Sequence, residues 1–168
     1  MAWGMYLSRA FLAGVLGAAV LSLVAFVARA LGFPFGFEML LGSWVTGSVG
    51  YVTWLVGLVL HFVIGGLLGV VYAILFRWLG FAGARVGVLI SVVHLMVAGF
   101  LLSGIPPLHP TVPEVIAPPG VFMSGLGPLG VALFVIAHIV FGAIVGGAYR
   151  RSTYARVVTV RQRVTSYP

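Results

Sequence analysis

Four long apolar runs, separated by short breaks, set the pattern of the chain. The first, Ala10 to Ala28, carries no charge and lies between Arg9 and Arg29. With its flanks it is long enough to cross a bilayer. The second runs from about Tyr51 to Phe76 and stops at Arg77-Trp78; the third opens at Arg85 and continues to about Ser103. The fourth spans about Pro128 to Tyr149, with Pro128 tolerated in a first helical turn. The pattern predicts transmembrane helices at about 9–31, 51–77, 85–104 and 128–149. They form one domain over 1–150, and a basic tail follows at 151–168.

The breaks differ in kind. Residues 32–50 form a first outer connection in which Phe33, Phe35, Phe37 and Trp44 suit the headgroup level, and Glu38 is its only charge. Gly80 to Ala84 make a tight turn. The second outer connection, Gly104 to Gly127, holds Pro106, Pro107, Pro110, Pro113, Pro118 and Pro119, which rule out a regular helix and favour a semi-rigid cap. Its His109 and Glu114 could contribute to an outer metal site, but solvation is the simpler reading.

Small residues mark faces for helix contact. Ala10, Gly14, Ala18 and Ser22 form one stripe, and Gly87, Ser91, His94 and Ala98 share a face of the third helix. Ala28-Arg29-Ala30 resembles a small-x-small cleavage site, but the run before it is longer than a usual signal core, so it is read as helix 1.

The stretch from His61 to Tyr72 reads H-x3-G-x3-G-x2-Y and returns from His138 to Tyr149. On a helix these four positions fall within an arc of about 80°. Gly65, Gly69, Gly142 and Gly146 are the expected packing stripes, with helices 2 and 4 meeting along them, while Gly66 and Gly147 lie beside the stripe. Tyr72 and Tyr149 are expected at the cytoplasmic interface, with Trp3, Tyr6 and Trp78 as belt residues there. Each half opens with an arginine (Arg9, Arg85) and turns at Gly32-Phe-Pro34 or Gly104-Ile-Pro106. Each outer connection holds one glutamate, 23 residues before His61 and 24 before His138. The expectation is two parallel-repeat hairpins about a pseudo-two-fold axis along the membrane normal.

Composition agrees. Of 168 residues 62% are hydrophobic and 7% charged, outside the range for soluble domains. Mean hydropathy is +1.23. Cysteine is absent, which excludes disulfides and thiolate chemistry. A net charge of +7 comes from arginines at the ends of apolar runs, a pattern for orientation in anionic lipid rather than for nucleic acid. Arg9, Arg77, Arg85 and the five tail arginines fall on one side; Arg29, Glu38 and Glu114 fall on the other. By the positive-inside rule both termini are cytoplasmic.

The repeated H-x3-G-x3-G-x2-Y ending of helices 2 and 4, together with the four-helix length, resembles a family of small bacterial membrane proteins of unknown function. The resemblance covers roughly Arg9 to Arg150. It implies a fold and a location in the bacterial plasma membrane, and brings no activity or site residues.

Candidate chemistry centres on His61, His94 and His138, expected near the midplane. Ionisable groups there are costly and face the bundle interior. Three readings stay open. The histidines could be neutral hydrogen-bonding glue between helices. His61 and His138, with His94 as a less symmetric third member, could ligate a b-type haem or a metal ion in one shared site. They could also form a proton or ion relay in a small transporter, although the spans hold no Asp, Glu or Lys. No nucleophile–base–carboxylate set is visible, so hydrolytic catalysis is disfavoured. The reading is a non-enzymatic accessory or structural subunit with a central histidine cluster, its partners the lipid bilayer and other subunits or itself. The alternative is a histidine-lined transporter or channel-like oligomer.

Overall fold

A computed structural model describes residues 2–34, 36–104, 108–112 and 114–165, with the backbone alone for 2–5 and 150–165. Phe35, Pro106, Pro107, Pro113 and the side chains of Trp3 and the tail arginines lie outside the described residues. The described residues are helical and irregular throughout: α1 (Ala2–Ala30), α2 (Phe37–Thr46), α3 (Tyr51–Leu79), α4 (Ala84–Ser103) and α5 (Gly127–Thr165). A short 3-10 segment, Val121–Leu126, precedes α5. Four of the helices are long and apolar enough to cross a membrane, over Tyr6–Ala30, Tyr51–Leu79, Ala84–Ser103 and Val121–Tyr149.

The expected boundaries agree with the four long helices to within a residue or two, except at the outermost ends of α1 and α5. Gly80, at φ 76°, ends α3 in the left-handed conformation that glycine adopts without steric cost. The helix of α5 continues past Tyr149 to Thr165. No glycine or proline interrupts residues 148–165, so nothing in the sequence stops the helix there.

The first outer connection contains a helix where an irregular headgroup segment is expected. In α2 the buried positions Glu38, Leu40, Gly42 and Ser43 face inward. Gly42 lies directly against the Thr53 carbonyl and Gly57 against that of Glu38, so α2 and α3 approach backbone to backbone. Only glycine permits that separation, and it holds α2 against the outer third of α3.

The glycine stripes meet partners other than those expected. Gly65 and Gly69 of α3 face α1: a Cβ on Gly65 would stand 2.6 Å from the Ala18 Cβ, and one on Gly69 would stand 2.9 Å from the Gly14 Cα. Gly142 and Gly146 of α5 face α4, where the corresponding distances are 2.7 Å to the Ser91 Cβ and 3.2 Å to the Gly87 Cα. The stripes therefore hold α1 to α3 and α4 to α5 rather than α3 to α5. The first apolar run supplies the small residues that α3 needs, Ala10, Gly14 and Ala18, at the matching spacing of four. The two pairs join largely through α1 and α5, where Gly17 receives the Phe141 ring.

Two apolar clusters fill the bundle. The outer one contains Leu40, Leu102, Val112, Met123 and Phe134. The inner one contains Tyr72, Phe76, Phe141 and Val145. Buried apolar area of this kind is the main non-directional source of cohesion.

Candidate functional site

Between the two clusters lies a cavity of about 270 Å³. Its walls are apolar, with Phe134 and Met123 on the outer side and Phe141 and Leu68 on the inner side. His61, His94 and His138 are the polar side chains that open onto it, and Glu38 lies in its wall with no accessible surface of its own. Val24, Ile64 and Ile136 line it and are nevertheless exposed, so the cavity reaches the outside of the bundle. An apolar pocket with a few convergent polar groups is the usual form of a small-molecule site.

His61 is held from two elements. Its Nδ1 lies 2.9 Å from Ser22 Oγ of α1, and the edge of its ring meets Phe37 of α2 at 5.2 Å between centroids. Ser22 is the last member of the small-residue stripe, so the stripe that brings α1 close also delivers this hydroxyl. One turn outward on α3, at Gly57, the backbone of Glu38 packs in. Glu38 is fully buried. Its Oε2 accepts a hydrogen bond from Arg29 Nη1 at 2.8 Å, while its Oε1 has no partner among the described residues. The Arg29 guanidinium stands 5.9 Å from the Trp54 ring centre. Sequence placed Arg29 and Glu38 on the same outer side; the structure joins them.

His138 and His94 stand side by side, ring centres 4.7 Å apart. His138 Nδ1 donates to the Phe134 carbonyl, one turn back on its own helix, at 2.8 Å. That bond fixes the proton on Nδ1 of the neutral ring and leaves Nε2 a bare acceptor. His94 Nδ1 lies 3.3 Å from the Tyr72 hydroxyl of α3. The expectation that Tyr72 sits at an interface is corrected here: it is 1% exposed and packs edge-on against Phe76, Phe141 and His94. α4 runs antiparallel to α3, which brings His94 down to the level of Tyr72. Tyr149 is half-buried and packs on Phe76 at 5.3 Å.

The three histidines thus line one cavity but differ in their neighbours: His138 has His94 beside it, and His61 has Ser22 and Phe37. Among the described residues no group of three or more His, Cys, Asp or Glu is placed to hold a metal ion. A haem iron between two imidazoles needs their nitrogens about 4 Å apart, end to end, which puts ring centres roughly 6 Å apart. At 4.7 Å and 67° the His94 and His138 rings leave no room for a macrocycle between them.

The outer cap has its own histidine, and it is not solvated. His109 is 5% exposed; its Nε2 donates to the Leu40 carbonyl at 2.9 Å, and its Nδ1 accepts from the backbone and hydroxyl of Thr111. Both nitrogens are occupied in fastening the cap to α2, with Trp44 against the ring, while Glu114 is exposed. The pair does not form a metal site.

Sequence reasoning missed Glu38 and Met123 in the cavity wall, and Ser22 as the partner of His61. Met123 carries a signal only the backbone shows: it and Phe122 have positive φ, 63° and 53°, without being glycine. Such outliers persist only where the surroundings enforce them. Here Phe122 packs against Gly99 and Phe134, and Met123 closes the outer side of the cavity. Comparisons with known protein families, characterised proteins and solved structures find no match to this chain.

Proposed function

We propose that the chain is a multi-pass protein of the bacterial plasma membrane, both termini cytoplasmic, that holds a lipid-soluble small molecule in its histidine-lined cavity. It serves as a non-enzymatic binding subunit of a larger membrane assembly. A duplicated hairpin is its architecture, supported by the equivalent glycine seams of α1 with α3 and α4 with α5. Orientation is supported by the arginine count: Arg9, Arg77, Arg85 and five arginines beyond Tyr149 against Arg29 alone. Exposed Leu, Val, Ile and Phe on all four long helices suit lipid contact.

The observation that carries the reading is the cavity itself. It is apolar, polar at only three side chains, and reachable from the lipid-facing surface at Val24, Ile64 and Ile136. Solvent extraction of protein purified in mild detergent tests it. One lipophilic compound should co-purify near one per chain, and Ala98→Phe, which fills the cavity, should remove it. Equal extracts from both proteins would overturn the reading.

A second reading, a small transporter, draws on one observation: His138, His94 and Tyr72 form a connected line toward the inner end of α3. Proton flux in reconstituted liposomes that disappears in His94→Phe would favour it.

A further inference from the structure

We propose that the molecule held in the cavity is a long-chain carboxylic acid, its uncharged carboxyl group bound across His94 and His138. This rests on the cavity reading above and names the ligand class of that same site.

The inference starts from the ring nitrogens. His61, His94 and His138 line the cavity, and each turns Nδ1 toward a protein partner: Ser22, Tyr72 and the Phe134 carbonyl. Their Nε2 atoms have no hydrogen-bond partner among the described residues. None of the three is among the fully buried polar atoms either, so each Nε2 keeps surface of its own.

The partner of each Nδ1 decides what the Nε2 offers. A carbonyl can only accept, so His138 carries its proton on Nδ1 and its Nε2 is an acceptor. Tyr72 is 1% exposed, and among the described residues its hydroxyl has no hydrogen-bond partner but His94 Nδ1. A buried hydroxyl proton without an acceptor is costly, so Tyr72 donates and His94 Nδ1 accepts. A neutral His94 then holds its own proton on Nε2, which becomes a donor. The two rings, with centres 4.7 Å apart, therefore present a donor and an acceptor side by side. Rings this close keep both nitrogens within reach of one carboxyl group making two hydrogen bonds of about 2.8 Å.

That pairing selects the head group. An amine only donates and would leave the His94 N–H unpaired. An ester, ether or ketone only accepts and would leave His138 Nε2 unpaired. A carboxylic acid does both, its carbonyl oxygen accepting from His94 and its hydroxyl donating to His138. An alcohol or primary amide also does both, but its hydrogen is the weaker donor. The alcohol must moreover meet both nitrogens with a single oxygen. The apolar walls, Phe134 and Phe141 among them, take the first methylenes of a chain. The rest of it leaves past the exposed side chains of Val24 and Ile136 into lipid.

The test measures binding of radiolabelled dodecanoic acid to the full chain in lipid nanodiscs, counted against empty nanodiscs. The acid should bind near one per chain. Its methyl ester, which keeps the carbonyl and loses the donor, should compete about tenfold more weakly. His138→Phe should weaken the acid about tenfold and leave the ester unchanged, whereas a merely structural role for His138 would weaken both. Ala98→Phe should abolish binding of either. Nitrogen-15 spectra of histidine-labelled protein should show His138 protonated on Nδ1 and His94 on Nε2; a His94 proton on Nδ1 would overturn the pairing. Dodecanol or dodecanamide competing better than the acid would overturn the carboxyl class. If acid and ester compete equally and Ala98→Phe blocks both, the head-group assignment is wrong and the cavity reading survives. If the acid does not bind, or binds undisturbed by Ala98→Phe, this proposal falls. The co-purification experiment above then decides the cavity reading independently.

Discussion

Arg29 and Glu38, nine residues apart, are joined at 2.8 Å between the last turn of α1 and the first turn of α2. The carboxylate side chain is 1% exposed and the guanidinium 26%. The pair fixes the angle at which the chain leaves α1, and places Glu38 where α2 meets the cavity.

A buried pair of this kind is more costly to halve than to remove. Arg29→Met leaves Glu38 buried without a counter-charge and should destabilise by about 3–5 kcal/mol. Arg29→Met combined with Glu38→Leu should recover most of that loss. Thermal unfolding in detergent checks it; a double variant no more stable than Arg29→Met would mean that the charges are not coupled.

The glycine seams make a second prediction. A leucine at Gly65 or Gly142 must displace the backbone or Cβ of a neighbouring helix, and overpacking of this sort costs about 1–3 kcal/mol. Gly147→Leu should be tolerated, since the nearest atom to its Cβ is 4.0 Å away. Gly66→Leu should fall between, because the atoms in its way belong to the Phe11 ring, which can rotate, rather than to backbone. Equal melting of Gly65→Leu and Gly147→Leu would show that the seam does not bear on stability.

These seams also mark what was legible in the sequence. Gly65, Gly69, Gly142 and Gly146 could be picked out by spacing, since a small-residue stripe must meet something. Which helix they meet could not. Spacing gives a face but not a partner, and repeat symmetry drew attention to α3 and α5 when the complementary stripe was Ala10, Gly14 and Ala18. The long helices were legible because twenty or more apolar residues admit few alternatives. α2 was not, because ten residues between glycines read equally as loop. Likewise, the histidines were visible as rare polar residues in apolar runs, whereas Glu38 was assigned to a headgroup segment. Its burial depends on α2 folding back on α3 through Gly42 and Gly57, a contact made by absent side chains.

Tyr72 and His94 link the two helix pairs through one 3.3 Å hydrogen bond inside the inner cluster. Tyr72→Phe keeps the ring contacts and removes the hydroxyl, so it should cost about 1 kcal/mol. Tyr72→Ala also empties a fully buried site and should cost about 3–5 kcal/mol, the range for loss of a large aromatic. If both variants melt like the parent protein, the inner cluster does not hold the pairs together.

The ring geometry at His94 and His138 predicts the optical spectrum. Rings 4.7 Å apart do not admit a macrocycle between them, so any Soret band seen after haem-replete expression should survive His94→Phe. Metal analysis should likewise find no stoichiometric ion, since no group of three ligands converges among the described residues. A Soret band lost in both His61→Phe and His138→Phe would make the cavity a haem site.

Topology is the last prediction, and the arginine count argues it. Arg29, placed on the outer side, weakens the asymmetry by one, against Arg9, Arg77, Arg85 and five arginines beyond Tyr149 on the other side. Reporter fusions after Arg77 and at the C-terminus should therefore be active in the cytoplasm. Fusions within 36–48 or 107–119 should be active outside. The expectation extends to Glu38→Arg, which adds a charge beside Arg29 and should lower insertion efficiency without inverting the chain, since eight arginines still oppose inversion. A C-terminal fusion active only outside would overturn the four-span orientation.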